Sequence, residues 1–131
     1  MSWQGYVDDQ LVATGHVDKG ALVSAAGDSV WAHSPGFEIK ISELKAIVNI
    51  VSGDAKATSD AYVNGIHVAG SKYTLTKVED KTAFARSGKT GLVIAKTKQA
   101  VIVAHYGENQ IAGSTSTTVQ HLADYLVGQG Y

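Results

Sequence analysis

The spacing of hydrophobic residues predicts a helix at each end of the chain. The first helix runs from Ser2, a good N-cap, to about Ala13, with Gly15 as its stop. The last helix begins near Ser114 and ends before Gly128. In both segments apolar residues recur three or four positions apart, which is typical of a helix that buries one face. They are Trp3, Tyr6, Val7 and Leu11 in the first helix and Val119, Leu122, Tyr125 and Leu126 in the last.

Between these helices the pattern is mainly that of short β-strands. Ser42 caps a predicted second helix over residues 42–48, and the small, polar residues 52–60 predict a loop. The other segments favour strands and are separated by turn residues such as Gly27-Asp28. The predicted strands are 21–25, 29–32, 65–68, 72–78, 82–86, 91–96 and 99–106.

These strands are expected to form one antiparallel sheet with helices on both faces. Most connections between neighbouring strands are very short, which requires antiparallel pairing. Residues 92–95 and 100–104 are continuous apolar runs, a pattern that indicates burial on both faces. The predicted fold is therefore α+β, a single domain over residues 1–131 with its N- and C-terminal helices packed together. Four aromatic residues within strand patterns are expected in the core: Tyr62, Tyr73, Phe84 and Tyr106.

Composition narrows the class of protein. The chain has 131 residues and no cysteine, which indicates one domain and excludes disulfides, thiol catalysis and thiolate metal sites. No apolar run is long enough to span a membrane, and the first residues lack the pattern of a signal peptide. We expect a cytoplasmic protein that is not an integral membrane protein.

Sequence motifs give no support for catalysis. The five histidines show no zinc-like spacing, and the fourteen glycines form neither a phosphate-binding loop nor a dinucleotide fingerprint. A nucleophile elbow of the GxSxG type is absent from the sequence. We therefore expect no enzyme activity, no cofactor and no metal.

Positive charge is concentrated in the second half of the chain. Residues 72–98 contain seven basic residues and only two acidic ones, Glu79 and Asp80, although the net charge of the chain is −1. Such a segment is expected to face an acidic partner. Charge alone is equally consistent with a sheet edge that lysines keep soluble.

Aromatic residues collect at the two ends of the chain. A Trp or Tyr ring has a flat apolar face and a polar N–H or O–H group, which suits it to bind a polyproline II helix. Packing of the first helix against the last explains the same residues, and periodicity alone favours that explanation. The candidate residues are Trp3, Tyr6, Trp31, Tyr125 and Tyr131.

The two end segments, together with Gly27-Asp28-Ser29-Val30-Trp31-Ala32, resemble the profilin family, and the resemblance covers nearly the whole chain. It implies a non-catalytic protein that binds monomeric actin, regulates actin polymerisation and docks proline-rich proteins such as actin-elongation factors. It also implies phosphoinositide binding. The five aromatic residues match the poly-proline site of profilins, in which a His or Tyr stands at the position of Tyr125.

The resemblance also places an actin-binding surface on the basic strands and the start of the last helix. Arg-to-Lys exchanges at positions 77 and 81 depart from many relatives and lose the bidentate guanidinium. Thr117 stands where a Lys is common, which removes a positive charge. The residues implied in actin binding are Lys72, Leu75, Lys77, Arg86, Lys96, Gly113 and Thr117.

Two other functions stay open at the level of sequence. One is a proline-peptide adaptor with weak or lost actin binding, which the departures above favour. The other is a small-molecule sensor of similar architecture, which would need an internal cavity lined by converging polar groups. Under each of these functions we expect a monomer that does not bind nucleic acid. If the chain is a profilin, we also expect it to be located at the cytoskeleton.

Overall fold

A computed structural model describes residues 3–79 and 81–131 of the chain. The predicted N-cap Ser2 lies outside the described residues, and so does Asp80. In chain order the elements are α1 (Trp3–Gly5), a π-helical stretch (Tyr6–Leu11), a 3-10 turn (Val12–Thr14), β1 (Lys19–Ser24), β2 (Val30–His33), α2 (Ile41–Val51), α3 (Ala55–Asn64), β3 (Ile66–Val68), β4 (Ser71–Glu79), β5 (Thr82–Ser87), β6 (Thr90–Lys96), β7 (Ala100–Tyr106) and α4 (Ala112–Gly128).

The strands form one antiparallel sheet, as the short connections predicted. Within the described residues the sheet has seven strands in the order β2-β1-β7-β6-β5-β4-β3. Every neighbouring pair is antiparallel, and the pairing of β1 with β7 joins the two halves of the chain. A β-bulge between Leu75 and Lys77 shifts the register of β4 against β5.

Helices cover both faces of the sheet, which confirms the predicted fold class. Successive residues of β7 alternate between two apolar clusters. Val101 and Val103 pack with α2 residues such as Leu44. Ile102 and Ala104 pack with residues of the N-terminal helical segment and α4. The continuous apolar run in β7 therefore reflects burial on both faces. We call these two sides the α2 face and the α4 face.

The loop predicted at residues 52–60 is wrong, because α3 occupies Ala55–Asn64. Asp54 caps this helix, since its side chain accepts a hydrogen bond from the backbone N–H of Ala57 at 3.0 Å. Among the residues of α3, Ala61 is the buried apolar one, so the segment has almost no hydrophobic stripe to reveal a helix. The assignment of Tyr62 to a strand in the core is also wrong, since it lies on α3 and is 48% exposed.

The predicted helices at the ends are present, with different details. Gly15 ends the first helical segment with a φ of +81°, as expected, but most of that segment is π-helix rather than α-helix. The last helix begins at Ala112, slightly earlier than predicted. α2 begins at Ile41 rather than Ser42, and its N-terminus is closed by Glu43, whose Oε1 accepts from the backbone N–H of Lys40 at 2.9 Å. Tyr73 and Tyr106 are buried as predicted, and Phe84 is partly buried.

Candidate functional site

The five aromatic residues named from the sequence lie side by side and form what we call the aromatic cluster. Trp3 is at its centre, with ring centroids 4.8 Å from Trp31, 5.0 Å from Tyr131 and 5.6 Å from Tyr6. Tyr6 in turn lies 6.1 Å from Tyr125. These separations fall in the range of direct ring packing. Residues far apart in sequence therefore make one continuous aromatic surface.

The cluster rests on the apolar layer of the α4 face. Val7 and Leu11 of the π-helical stretch and Leu126 of α4 are fully buried between the helices and the sheet. The side-chain amide of Gln4 donates to the backbone carbonyl of His33 at 3.0 Å, which ties the N-terminal segment to β2 beside Trp31. Helical segments and a strand thus carry four of the rings, those of Trp3, Tyr6, Trp31 and Tyr125.

Exposure differs among the rings and separates the two roles considered from the sequence. Tyr6 is only 7% exposed and packs the first helical segment against α4. Tyr125 is 51% exposed and Tyr131 39% exposed, while Trp3 and Trp31 are half-buried. Packing of the ends therefore uses Tyr6, and the other rings retain faces open to a ligand.

The chain end is fixed by its backbone. The hydroxyl of Thr97 donates to the backbone carbonyl of Tyr131 at 2.9 Å, and the backbone N–H of Gln99 donates to the same oxygen. The N–H of Tyr131 donates to the carbonyl of Leu126, also at 2.9 Å. Because these bonds hold the backbone, the Tyr131 ring is kept beside Trp3 without help from its own hydroxyl.

The hydroxyl of Tyr6 lies in an environment that disfavours its ionised form. Burial raises the pKa of Tyr6 above its ordinary value of 10.0, and the neighbouring Tyr125 raises it further through its charge and a hydrogen bond. Tyr6 is therefore a neutral hydroxyl at physiological pH. It keeps its proton at the base of the cluster, where it interacts with Tyr125.

Three of the basic residues share the α4 face of the sheet and form what we call the basic surface: Lys72, Lys77 and Arg86. Tyr73 and Leu75 of β4 point to the α2 face, so strand alternation directs Lys72 to the opposite side. Arg86 lies opposite Thr74 on the neighbouring strand. Past the bulge, Lys77 pairs with Phe84, and its Nζ is 5.8 Å from the centre of that ring. Lys77 also forms an exposed ion pair with Glu79 at 3.3 Å.

Two predicted actin-binding residues are not on the basic surface. Leu75 is 3% exposed within the core of the α2 face, so it has no surface to offer a partner. Lys96 lies two positions after Ile94 and four after Leu92, so it shares their α2 face, and it lines a small cavity with Ile50 at the end of α2. Strict alternation would place Leu75 on the same face as Lys77, but the bulge between them puts the two side chains on opposite faces. Lys96 lies on a different strand from the other basic residues, so its spacing from them in sequence does not give its direction.

The start of α4 flanks the basic surface. Ser116 and Gln120 line a cavity of about 290 Å³ together with Phe84 and Thr82 of β5. Gly113 and Thr117 are exposed in the same half of the helix. The hydroxyl of Thr117 donates to the carbonyl of Gly113 at 3.0 Å, so it is turned back onto its own helix.

Comparison with known proteins decides the family. The family model described as Profilin matches residues 1–131. The chain belongs to the profilin family. It is 41% identical to the profilin of Saccharomyces cerevisiae, with all of both chains covered. It superimposes on the crystal structure of Schizosaccharomyces pombe profilin with a TM-score of 0.91 and 38% identity, covering 99% of this chain and 100% of the other.

A more distant profilin shares the fold. The structure of mouse profilin IIa in complex with a double repeat from the FH1 domain of mDia1 gives a TM-score of 0.82 at 19% identity, with 100% of both chains covered. Family membership makes this chain an actin-binding regulator of the cytoskeleton and not an enzyme. It also decides against the small-molecule sensor considered from the sequence.

The structure reveals an exposed apolar pair that sequence reasoning missed. Tyr62 is 48% exposed and Val63 is 82% exposed near the end of α3. This helix ends at its C-cap Gly65, where an added Cβ would lie 3.0 Å from Cε of Lys72. The pair is therefore beside the edge of the basic surface. The Asp54 cap and the Gly65 stop were the signals in the sequence that would have found this helix.

Groups that could hold a metal ion are absent from the part of the chain that the structure describes. Among the same described residues, no helix is both long enough and apolar enough to cross a membrane.

Proposed function

We propose that this profilin binds its two classes of partner through separate surfaces. Proline-rich peptides occupy the aromatic cluster, and monomeric actin occupies the basic surface together with the start of α4. The observation that carries this proposal is the packing of Trp3 against three other rings, of which Tyr131 and Trp31 retain exposed faces.

The aromatic cluster fits a polyproline II ligand on physical grounds. Such a helix has no internal hydrogen bonds, so its carbonyl oxygens remain free to accept from a Trp N–H or a Tyr O–H. Its proline rings stack on aromatic faces, and it loses little conformational entropy on binding. The half-buried Trp3 and Trp31 and the exposed Tyr125 supply faces for such a ligand.

The mouse profilin IIa structure supports the same class of ligand. That protein is in complex with a double repeat from an FH1 domain, and its fold covers the whole of this chain. We extend that class of partner to this chain on the strength of the aromatic cluster, since identity to the mouse protein is 19%.

The basic surface fits an acidic patch on actin. Its positive side chains are exposed, apart from the contact of Lys77 with Glu79 and Phe84. Charges of this kind increase the rate of encounter with an oppositely charged partner. The exposed Tyr62 and Val63 beside Lys72 add apolar area where the charges end. Lys96 and Leu75 have no part in this proposal.

The same basic side chains would bind the phosphates of phosphoinositide headgroups, in competition with actin. Two separate surfaces would also let one molecule hold an actin monomer while it is docked on a proline-rich elongation factor. Tethering of this kind raises the effective concentration of actin at the factor.

Substitution of Trp3 tests the peptide site. Trp3→Ala should remove most of the affinity for poly-L-proline, because loss of a stacked aromatic anchor typically costs about 2 kcal/mol or more. Binding is measured by isothermal titration calorimetry, which does not depend on tryptophan emission. Tyr62→Ala removes an exposed ring outside the cluster and serves as the control. Unchanged affinity in a folded Trp3→Ala protein would refute the assignment.

A further inference from the structure

The hairpin that joins β3 to β4 has an unusual turn. Val68 pairs directly with Ser71, so the turn consists of Ala69 and Gly70 alone. Their φ angles are +52° and +83°, which places both residues in the left-handed region required by a type I′ turn. Asn-Gly is the favoured sequence for such a turn, because alanine is disfavoured at positive φ. The conformation of Ala69 therefore needs support from elsewhere.

Glu43 provides that support from α2. Its carboxylate is buried, with the residue only 8% exposed. Oε1 accepts from the backbone N–H of Ala69 at 3.1 Å, and Oε2 accepts from the N–H of Gly70 at 3.1 Å. The same Oε1 accepts from the N–H of Lys40 at the start of α2. One carboxylate thus joins the first turn of a helix to both residues of the hairpin turn.

We infer that Glu43 is a positioning residue for the actin-binding surface. It holds the Ala69–Gly70 turn in its left-handed form, and the turn joins β3 to the first residues of β4, which include Lys72. This inference rests on the proposed function of the basic surface. Glu43 itself belongs to α2, on the other side of the sheet, and acts only through the backbone of the hairpin.

The turn matters because β3 is short. It contains the residues Ile66–Val68, so three pairs hold it to β4. The pairing of β4 with β5 begins at Thr74, so the residues of β4 before Thr74 are held in the sheet by β3 and the turn. Lys72 lies one residue beyond the pair that closes the turn. The position of Lys72 is therefore the first on the basic surface to change when the turn relaxes.

A glutamine at position 43 would not replace the carboxylate. Both carboxylate oxygens accept hydrogen bonds here, whereas an amide has one acceptor oxygen and one NH₂ donor. In Glu43→Gln the NH₂ group would face the N–H of either Ala69 or Gly70, donor against donor. The change keeps the shape of the side chain and removes one contact to the turn, so it tests the clamp with little loss of packing.

The experiment compares Glu43→Gln, Ala69→Gly and the double variant in three measurements. They are the Kd for monomeric actin, the Kd for poly-L-proline, and the amide hydrogen exchange of the turn residues. If the competent turn falls to about one fifth of the population in Glu43→Gln, the actin Kd should rise about fivefold. Poly-L-proline affinity should not change. Exchange at residue 69 should accelerate. Glu38→Gln makes the same charge change at an exposed position and is the matched control.

Glycine at position 69 should rescue the defect, because glycine adopts a positive φ without strain. In the double variant the actin Kd should return close to the value of Ala69→Gly alone. If Glu43→Gln does not fold, the actin Kd of the double variant is still compared with that of Ala69→Gly. A fivefold difference between these two Kd values would overturn the inference. Faster exchange with an unchanged actin Kd would also overturn it.

A Lys72→Ala background separates this inference from the proposed function. Lys72→Ala alone should weaken actin binding, and a failure to do so counts against the proposed surface itself. When Lys72 is already absent, Glu43→Gln should have no further effect on the actin Kd. A full additional loss would show that Glu43 does not act through Lys72 and would refute the positioning role.

Discussion

The residues of the aromatic cluster differ in exposure because each is held by different neighbours. Tyr6 lies over the buried layer formed by Leu11 and Leu126, so its ring is almost entirely covered. Tyr131 is held through its backbone by Thr97 and Gln99, which leaves its ring partly open. The same residue type therefore serves as a packing group at one end of the chain and as a partly exposed ring of the proposed peptide site at the other.

Stability at alkaline pH should depend on Tyr6. Its pKa in the folded protein is raised above the ordinary 10.0, so the unfolded chain releases this proton first. The stabilisation is fully present below that ordinary value and is lost as the pH rises through the folded-state pKa. Tyr6→Phe should reduce the fall in melting temperature above about pH 10. Thermal unfolding across this range checks the prediction, with the exposed Tyr62→Phe as control. Identical pH profiles for all three proteins would contradict it.

The ring of Tyr131 should contribute to peptide binding more than to stability. Tyr131→Ala keeps the backbone bonds to Thr97, Gln99 and Leu126 and removes the ring that packs 5.0 Å from Trp3. Poly-L-proline affinity should fall about tenfold, equivalent to about 1.4 kcal/mol. The melting temperature should change by only about 2 °C.

Thr97→Val weakens the attachment of the Tyr131 backbone and keeps the Tyr131 ring. It removes the hydroxyl that holds the Tyr131 carbonyl and leaves the ring in the protein. It should lower the melting temperature more than Tyr131→Ala does. Calorimetric titrations and thermal melts on both variants make the comparison. A large loss of stability in Tyr131→Ala, in proportion to its loss of binding, would show that the ring serves only to pack the chain end.

At the scale of elements, the sequence predicted the helices and strands that have a regular pattern of apolar residues. Continuous apolar runs in β6 and β7 correctly indicated a sheet covered on both faces, and turn residues located the strands to within a few positions. α3 was not predicted because its apolar contacts with the core are small: Ala61 is buried and Ala57 is partly buried, which makes only a weak stripe among the described residues. Burial against β4, with the Asp54 cap, stabilises a helix that its own pattern does not reveal.

Side-chain direction was harder to predict than strand position. The bulge after Leu75 changes which residues of β4 share a face, and nothing in the composition of residues 74–78 marks it. The aromatic cluster was easier to predict, because all five of its residues are rare types placed at chain ends or beside a turn. The Glu43 contact to Ala69 and Gly70 joins positions far apart in sequence and required the structure.

The packing of β6 against β5 and β7 should be intolerant of a side chain at Gly91. A Cβ there would lie 2.3 Å from Oη of Tyr106 and 2.6 Å from the backbone oxygen of Ala85. The Tyr106 side chain has room to move only by disturbing the core, and the backbone oxygen is fixed by the sheet. Gly91→Ala should destabilise the protein by about 1–3 kcal/mol.

Gly128→Ala is the matched control for that substitution. A Cβ at Gly128 meets nothing within 4 Å, and the position is helical. Alanine should there be neutral or stabilising by up to about 1 kcal/mol. Chemical denaturation of the two variants measures both effects. Equal stability of Gly91→Ala and wild type would show that the sheet opens at this point more easily than the structure indicates.

At the scale of the whole molecule, the sheet separates the basic residues into two groups. Lys72, Lys77 and Arg86 lie on the α4 face, and Lys96 lies on the α2 face. The aromatic cluster shares the α4 side but is built on the chain ends and β2, away from β4 and β5. A substitution on β4 should therefore change one of the two proposed binding surfaces and leave the other intact.

Charge reversal at Lys77 should weaken actin binding and leave peptide binding unchanged. Lys77→Glu replaces a positive charge of the basic surface, and the ion pair it breaks is exposed and contributes little to stability. Association with monomeric actin should slow and become less dependent on salt, because complementary charges chiefly accelerate encounter and are screened by ions.

Lys96→Glu makes the same change on the α2 face and should have a smaller effect. Titrations of each folded variant with actin and with poly-L-proline test this. Equal damage to both ligands in Lys77→Glu would contradict the separation of the two surfaces, and an equal loss of actin affinity in Lys96→Glu would place actin elsewhere on the sheet.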